Sequence, residues 1–181
     1  MFIQTEQTPN PSSLKFLPGC EVMKRGTAEF KNTDEAAASP LAGRIFRIHG
    51  VAGVFLGGDF ITVTKTDAAR WAALEPMILG AIMEYFATGQ DVLHGGDVPA
   101  ASGDDDEIVR KIKELLDVRI RPVVAQDGGD IVFDSFRDGV VYLHLRGACA
   151  GCPGAAATLK TGVESVLRHF IPEVKEVRAV K

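Results

Sequence analysis

Two cysteines near the end of the sequence have the clearest capacity for chemistry. The segment Cys149-Ala150-Gly151-Cys152-Pro153 separates two thiols by two residues and leads into a helical pattern of small residues. Because Gly151 tolerates a positive φ, the segment can turn both sulfurs toward one metal ion or toward the irons of one cluster. The N–H groups and dipole at a helix start also favour thiolates. The spacing predicts an iron–sulfur or metal site with Cys149 and Cys152 as ligands.

Two thiols are only half of a tetrathiolate ligand set. The third cysteine, Cys20, belongs to a different predicted domain and is interpreted as an incidental thiol. The missing ligands therefore come most simply from the same pair in a second copy of the chain. This shortage predicts a homodimer that shares one cluster.

Two other uses of the pair stay open. A Cys-x-x-Cys motif at a helix start also lowers a thiol pKa, as in dithiol oxidoreductases. That motif is expected after the strand of a βαβ unit with more sheet beyond it, and few residues follow Cys152, so this context is predicted to be missing. Zinc held by four thiolates across a dimer is the second alternative, because the ligands alone do not separate zinc from iron–sulfur.

The composition narrows the class of protein. The chain has 181 residues, 46% hydrophobic and 24% charged, with a net charge of −4. These values are ordinary for a soluble globular protein and give no field that attracts nucleic acid. No apolar run approaches the ~20 residues that span a bilayer, and residues 1–6 lack the features of a signal peptide or an Arg-rich presequence. We therefore expect no membrane or nucleic-acid partner and a bacterial-type cytoplasmic location, with a matured mitochondrial chain as the less favoured alternative.

The pattern of apolar residues predicts an α+β fold with two small domains. Residues 1–90 read as β-β-α-β-β-α, with a tight hairpin at Gly57-Gly58-Asp59. Residues 91–104 are rich in Gly, Ala, Ser, Pro and acid, which is typical of a flexible linker. Residues 105–181 read as α-β-β-α-β, with the cysteine pair at the mouth of the second helix.

Other candidate site residues have simpler interpretations. Gly128-Gly129-Asp130 precedes a strand and is interpreted as turn chemistry rather than a phosphate or metal loop. The histidines have no metal-ligand spacing and are interpreted as surface or packing residues. They are His49, His94, His144 and His169.

At this point the motifs resemble a known family. The stretch from Val118-Arg119-Ile120-Arg121-Pro122 through Gln126-Asp127-Gly128-Gly129-Asp130 to Gly147-Ala148-Cys149-Ala150-Gly151-Cys152-Pro153 resembles the C-terminal domain of NifU-like proteins. Residues 1–19 and 49–64 look like the N-terminal domain of Nfu-type iron–sulfur scaffold or carrier proteins. The resemblance covers nearly the whole chain.

The resemblance implies a carrier rather than an enzyme. It implies a chain that binds a [4Fe–4S] cluster between two subunits, with Cys149 and Cys152 carried over as the ligands. Such a carrier receives the cluster from upstream donors and delivers it to apo iron–sulfur client proteins. The sequence lacks the cysteine-rich assembly domain and the central ferredoxin-like domain of nitrogen-fixation NifU. Cluster assembly with a cysteine desulfurase is therefore not expected of it.

Overall fold

The computed structural model describes residues 2–93, 106–151 and 153–180, and the chain forms two compact units, Met1–Ala100 and Ala101–Lys181. The α+β class with two small domains is confirmed. Residues 94–104 of the predicted linker lie outside the described residues, and within the described ranges no helix has the length and apolar character needed to cross a bilayer.

The first unit contains β1 (Gln4–Gln7), β2 (Ser13–Leu17), β3 (Ala28–Phe30), α1 (Thr33–Ala36), α2 (Pro40–Phe46), β4 (Val51–Leu56), β5 (Ile61–Lys65) and α3 (Trp71–Ala87). The second contains α4 (Glu107–Leu115), a π-helical segment (Leu116–Ile120), α5 (Arg121–Gln126), β6 (Gly129–Arg137), β7 (Val140–Gly147), α6 (Pro153–Phe170) and β8 (Glu176–Val180).

The first unit is built on a five-stranded antiparallel sheet with the order β1-β2-β5-β4-β3. Leu14, Val63 and Val54 are neighbours across its three central strands. They share one core with Ile45 of α2 and Ile78 of α3. The apolar alternation of the strands and the stripes of the two helices therefore pack into one layer of helices on one sheet.

Two short elements of this unit were not predicted. Strand β3 has three residues, too few to show an alternating pattern, and pairs with β4 at the edge of the sheet. Helix α1 is one turn long, and its sequence signal is a capping box. The Asn32 side chain accepts a hydrogen bond from Glu35 N (2.8 Å), and the Glu35 carboxylate accepts one from Lys31 N (2.7 Å). The observed order is therefore β-β-β-α-α-β-β-α.

The second unit has a three-stranded sheet with the order β6-β7-β8. Strands β6 and β7 form the predicted antiparallel hairpin, in which Asp138 (φ 53°) and Gly139 (φ 81°) adopt the left-handed conformation of a type I′ turn. Strands β7 and β8 are parallel, and α6 connects them. The cysteine segment thus follows the strand of a βαβ unit, with one strand downstream. The expectation that this context is missing is wrong, because it was argued from the short remaining sequence and a single parallel strand needs few residues.

The predicted first helix of this unit is continuous from Glu107 to Gln126, but its middle is π-helical. Its buried residues recur every four positions, which is wider than the 3.6 residues of an α-helical turn. The wider π turn lets the later pair face the same core as the earlier pair. These buried residues are Ile112, Leu116, Ile120 and Val124.

Candidate metal centre

The cysteine segment lies at a junction between a strand and a helix. Strand β7 ends at Gly147, which has φ 65°, and α6 begins at Pro153. Between them the chain turns again at Gly151, which has φ 80°. Both positions require a left-handed backbone, which glycine adopts without a clash of a Cβ. Cys152 lies outside the described residues, so the geometry of the site rests on Cys149.

The side chain of Cys149 is buried and 6% exposed. It packs against the backbone of Gly129, the first residue of β6. A Cβ at Gly129 would lie 2.5 Å from Cys149 Sγ and 2.8 Å from the carbonyl oxygen of Arg146. The absence of a side chain at Gly129 therefore makes the space for the thiol.

Backbone hydrogen bonds fix the cysteine segment to the turn before β6. Ala148 N donates to the carbonyl oxygen of Gly128 at 3.1 Å, and Ala150 N donates to that of Gly147 at 3.1 Å. Gly128 has φ 77° and ends the preceding helix, with its N–H donating to the carbonyl oxygen of Ala125 at 3.0 Å. The carbonyl groups of Gly128 and Gly147 thus position the loop that carries Cys149.

An ion pair holds the same turn in place. Asp130 is 3% exposed and accepts two hydrogen bonds from the Arg121 guanidinium, from Nε at 2.8 Å and from Nη2 at 3.0 Å. Arg121 Nη1 also donates to Asp117 at 2.9 Å, and Ile131 N donates to Asp130 at 2.8 Å. The hydrogen bond to Asp130 is the main cause that raises the pKa of Arg121 above its usual range. The pair joins the start of α5 to the start of β6, directly beside the glycine under Cys149.

Sequence reasoning assigned Gly128-Gly129-Asp130 to turn chemistry, and the structure gives two of the three residues a longer-range role. Gly129 accommodates the thiol and Asp130 pairs with Arg121. Both residues and Arg121 belong to the stretch that carries the family resemblance, which is the signal that marked them. Neither contact follows from local turn preferences, because Gly129 meets Cys149 from another strand end and Arg121 reaches Asp130 from α5, nine residues earlier.

The remaining candidate residues do not assemble into a second centre. In the ranges that the structure describes, no group of three or more His, Cys, Asp or Glu side chains is placed to hold a metal ion. His144 pairs with Asp134 at 3.1 Å, His169 stacks edge-on against Phe170, and His49 is exposed. His94 lies outside the described residues.

Cys20 lies in the first unit and is half-buried. It lines an open groove together with Phe2, Leu17 and Asp59. Burial raises the pKa of its thiol, so the neutral form is favoured at this position. A neutral thiol is a poor nucleophile and a poor metal ligand.

Comparison with known proteins matches both halves of the chain to family models. Residues 3–89 match a model described as the scaffold protein Nfu/NifU N terminal, and residues 112–178 match the NifU-like domain. These matches confirm the resemblance that the motifs predict. They also fall in the two units in the order expected from the sequence.

Curated relatives are similar to this chain over almost all of its length. The chain is 50% identical over 184 residues to a protein of Drosophila erecta named as a mitochondrial NFU1 iron–sulfur cluster scaffold homolog, covering 99% of this chain and 65% of the relative. The homolog of the same name in Drosophila willistoni is 51% identical and is covered to 64%. The chain thus spans about two thirds of the length of the curated relatives it matches. A solution structure of a NifU-like protein from Saccharomyces cerevisiae is 33% identical, with a TM-score of 0.47 over 51% of this chain and 84% of that one.

The expectation of a bacterial-type cytoplasmic location is wrong by this comparison, since the relatives are named as mitochondrial. The physical reason is that compartments are set by targeting signals that are recognised separately from the folded domains. Composition and the first few residues of this sequence therefore carried no information on the compartment.

Proposed function

The chain belongs to the NifU-like family with an Nfu-type N-terminal domain, and on this premise we propose that it is an iron–sulfur cluster carrier. In this proposal two copies hold one [4Fe–4S] cluster between them, each through Cys149 and Cys152. The cluster is cargo that upstream donors supply and apo iron–sulfur proteins receive. The proposed domain boundaries are 1–90 and 105–181, with residues 91–104 between them.

The ligand count carries this proposal. Each chain offers two closely spaced thiols, and the described residues supply no group of further ligands around Cys149. A cubane cluster takes four cysteinates, so a second copy completes the set. Ala150 is partly exposed between the two cysteines, and its small side chain leaves room for a cluster and a second chain.

Cluster binding requires Cys149 to turn away from Gly129, because its side chain is buried in the form described here. The glycines at both ends of the loop, Gly147 and Gly151, are the positions at which the backbone can rotate most freely. The cysteine segment leads directly into α6, which begins at Pro153. The helix dipole and the N–H groups at a helix start stabilise negative charge, so they favour the thiolate form in this segment.

Transfer in this proposal is an exchange of ligands. A client thiol loses its proton and its sulfur bonds to one iron, while one iron–sulfur bond to Cys149 or Cys152 breaks. The released cysteinate takes up a proton, and no electron moves. Each exchange replaces one carrier ligand, so two ligands per chain allow stepwise release.

The proposal is tested by anaerobic reconstitution of the full chain with iron and sulfide, followed by metal analysis and mass measurement. We expect about two irons and two sulfides per chain and the mass of a dimer. Cys149→Ser and Cys152→Ser are expected to lose the cluster, and Cys20→Ser is the matched control that keeps it. A monomer that holds a full cluster, or full loading of the Cys149→Ser variant, would contradict the proposal.

A dithiol oxidoreductase is the second candidate, favoured by the place of the pair between the strand and helix of a βαβ unit. In that reaction a Cys149 thiolate attacks a substrate disulfide, which releases one thiolate and leaves a mixed disulfide. The Cys152 thiolate then attacks Cys149 Sγ, releases the second product thiol and closes a Cys149–Cys152 disulfide, which an added dithiol reductant must reduce before the next turnover. A chain that stays colourless after reconstitution and reduces disulfides with turnover supports this candidate. A zinc-bridged dimer would instead contain tightly held zinc and no acid-labile sulfide.

A further inference from the structure

Helix α3 of the first unit is apolar over most of its circumference. One side contributes Leu74, Ile78 and Ile82 to the core. The helix contains no basic residue, and its two acids are already engaged, Glu75 with Thr5 and Glu84 with Arg44. A helix that is apolar all round is normally buried on all sides, so the outer face of α3 is an exception to be explained.

The outer face of α3 is exposed and nearly free of charge. Met77 is 54% exposed and Met83 is 45% exposed. At 100° per residue the outward positions form one continuous arc, in which Glu84 near the rim is the one charged residue. The other outward positions are Ala72, Ala73, Pro76, Met77, Gly80, Met83 and Ala87.

Five of these residues have the spacing of a helix-packing seam. Ala73, Pro76, Gly80, Met83 and Ala87 are separated by three, four, three and four positions, which is the a/d repeat of a coiled coil. The residues one heptad apart are Ala73, Gly80 and Ala87, and small residues at such positions allow two helix backbones to approach closely. A Cβ at Gly80 would meet nothing within 4 Å, so the centre of the seam is open.

We propose that a second copy of this chain packs antiparallel against this seam, with the two Gly80 residues at the twofold axis. About Gly80 the antiparallel pair places Ala73 opposite the partner's Ala87, seven positions from the axis on each side. Pro76, four positions before the axis, lies opposite the interval between the partner's Met83 and the partner's Glu84. An isologous contact needs a surface that is complementary to itself, and this pattern supplies one.

The charges at the ends of the helix favour the same pairing. Arg70, at the N-cap position of α3, is exposed, and no ion pair involves it within the described residues. Antiparallel packing brings it to the C-terminal end of the other copy, near the negative end of the helix dipole and near Asp91, whose exposed carboxylate also lies 3.8 Å from Lys24 Nζ. The two Glu84 carboxylates, four residues from the axis on each copy, lie about 12 Å apart along it and repel weakly.

The size of the seam predicts a weak contact. One pair of helices of this length buries less than the roughly 1,200 Å² at the lower end of stable specific interfaces. The association is therefore reversible and depends on concentration, and it needs no cluster. Two chains that are already associated hold their Cys149 and Cys152 pairs at a raised effective concentration. This consequence for cluster binding rests on the proposed function.

The test uses the full-length Cys149→Ser/Cys152→Ser chain, in which a shared cluster no longer contributes to association. Sedimentation equilibrium from about 10 μM to about 1 mM is expected to show a monomer–dimer equilibrium. Gly80→Lys places a charge at the twofold axis and should weaken association at least tenfold. Gly80→Ala keeps a small residue and should leave dimers. Gly162→Lys is the matched control, since Gly162 is also helical with open space around it.

The end charges give a second test that does not touch the seam. Arg70→Glu should weaken association several-fold, and adding Asp91→Arg to it should restore the loss. The proposal is overturned by a chain that stays monomeric up to the highest concentration, by equal effects of Gly80→Lys and Gly162→Lys, or by a double charge variant that does not recover. If one of these outcomes rules out the α3 contact while wild-type chains still share a cluster, the proposed function stands without the contact.

Discussion

The same three residues, Gly-Gly-Asp, occur where a strand begins in both units, and their surroundings differ. In the first unit Gly57-Gly58-Asp59 closes the hairpin between β4 and β5. Gly57 N donates to the carbonyl oxygen of Phe60 at 2.9 Å, and the carbonyl oxygen of Gly58 accepts from Val22 N at 2.7 Å. A Cβ at Gly58 would meet nothing within 4 Å, and Asp59 is exposed. In the first unit the tripeptide forms a hairpin turn.

In the second unit the tripeptide supports a candidate ligand. Gly129 lies under Cys149, and Asp130 is held by Arg121. The last two residues, which are exposed at Gly58 and Asp59, are buried at Gly129 and Asp130. The contrast teaches that the role of the tripeptide depends on the residues that tertiary structure brings to it.

Removal of the two aspartates should show the largest difference. We expect Asp130→Ala to lower the free energy of unfolding of the second unit by about 2–4 kcal/mol, because it leaves a half-buried Arg121 without its main partner. Asp59→Ala should change stability by about 0.5 kcal/mol or less. Urea unfolding followed by far-UV circular dichroism measures both. The fluorescence of Trp71, the sole tryptophan and a residue of the first unit, should not respond to Asp130→Ala. Equal effects of the two variants would refute the contrast.

Addition of a methyl group to the glycines is the next test. Gly129→Ala places a Cβ against Cys149 Sγ and the Arg146 carbonyl, so we expect about 1–3 kcal/mol of destabilisation and displacement of the cysteine loop. Gly58→Ala has open space and should be neutral to within about 0.5 kcal/mol. Full stability of Gly129→Ala would show that the loop does not depend on this contact.

Replacement of the arginine by lysine separates charge from geometry. Arg121→Lys keeps the positive charge, but an ammonium cannot bond both Asp130 oxygens and Asp117 in the same way. We expect a loss of about 1–2 kcal/mol in the second unit. Arg44→Lys is the control, since Arg44 makes an exposed pair with Glu84 that should contribute at most about 0.5 kcal/mol. Urea unfolding followed by circular dichroism measures the stability of both variants. An Arg121→Lys variant as stable as the wild type would show that the pair depends on charge alone and not on the geometry of the guanidinium.

The smallest expected effect concerns the thiol in the groove beside Asp59. Burial raises the pKa of Cys20, so the folded chain holds this proton more tightly than the unfolded chain. The resulting stabilisation is complete below the unfolded pKa and is lost as pH rises through the folded pKa. In the Cys149→Ser/Cys152→Ser chain, iodoacetamide should alkylate Cys20 a few-fold more slowly in the folded than in the urea-unfolded protein at pH 8. The difference should narrow at higher pH, and equal rates at pH 8 would contradict the shift.

Much of the fold could be predicted because its signals are local. The hairpins at Gly57-Gly58-Asp59 and Asp138-Gly139 and the start of α6 at Pro153 agree with turn and helix preferences. Strand β3 was too short to show a pattern. The π-helical segment depends on tertiary packing, because it lets buried residues that recur every four positions face one core. The parallel placement of β8 also escaped prediction, because strand pairing depends on long-range packing.

The sequence by itself determined which atoms are available: two thiols at a fixed spacing before a helix, half of the ligands that a cubane cluster takes. That spacing is a matter of covalent geometry, so no fold was needed to read it. Only the tertiary structure decided that Cys149 is buried on Gly129 and that Arg121 anchors Asp130. Those contacts join residues on different secondary-structure elements, and they exist only where sheet register and helix packing bring the residues together.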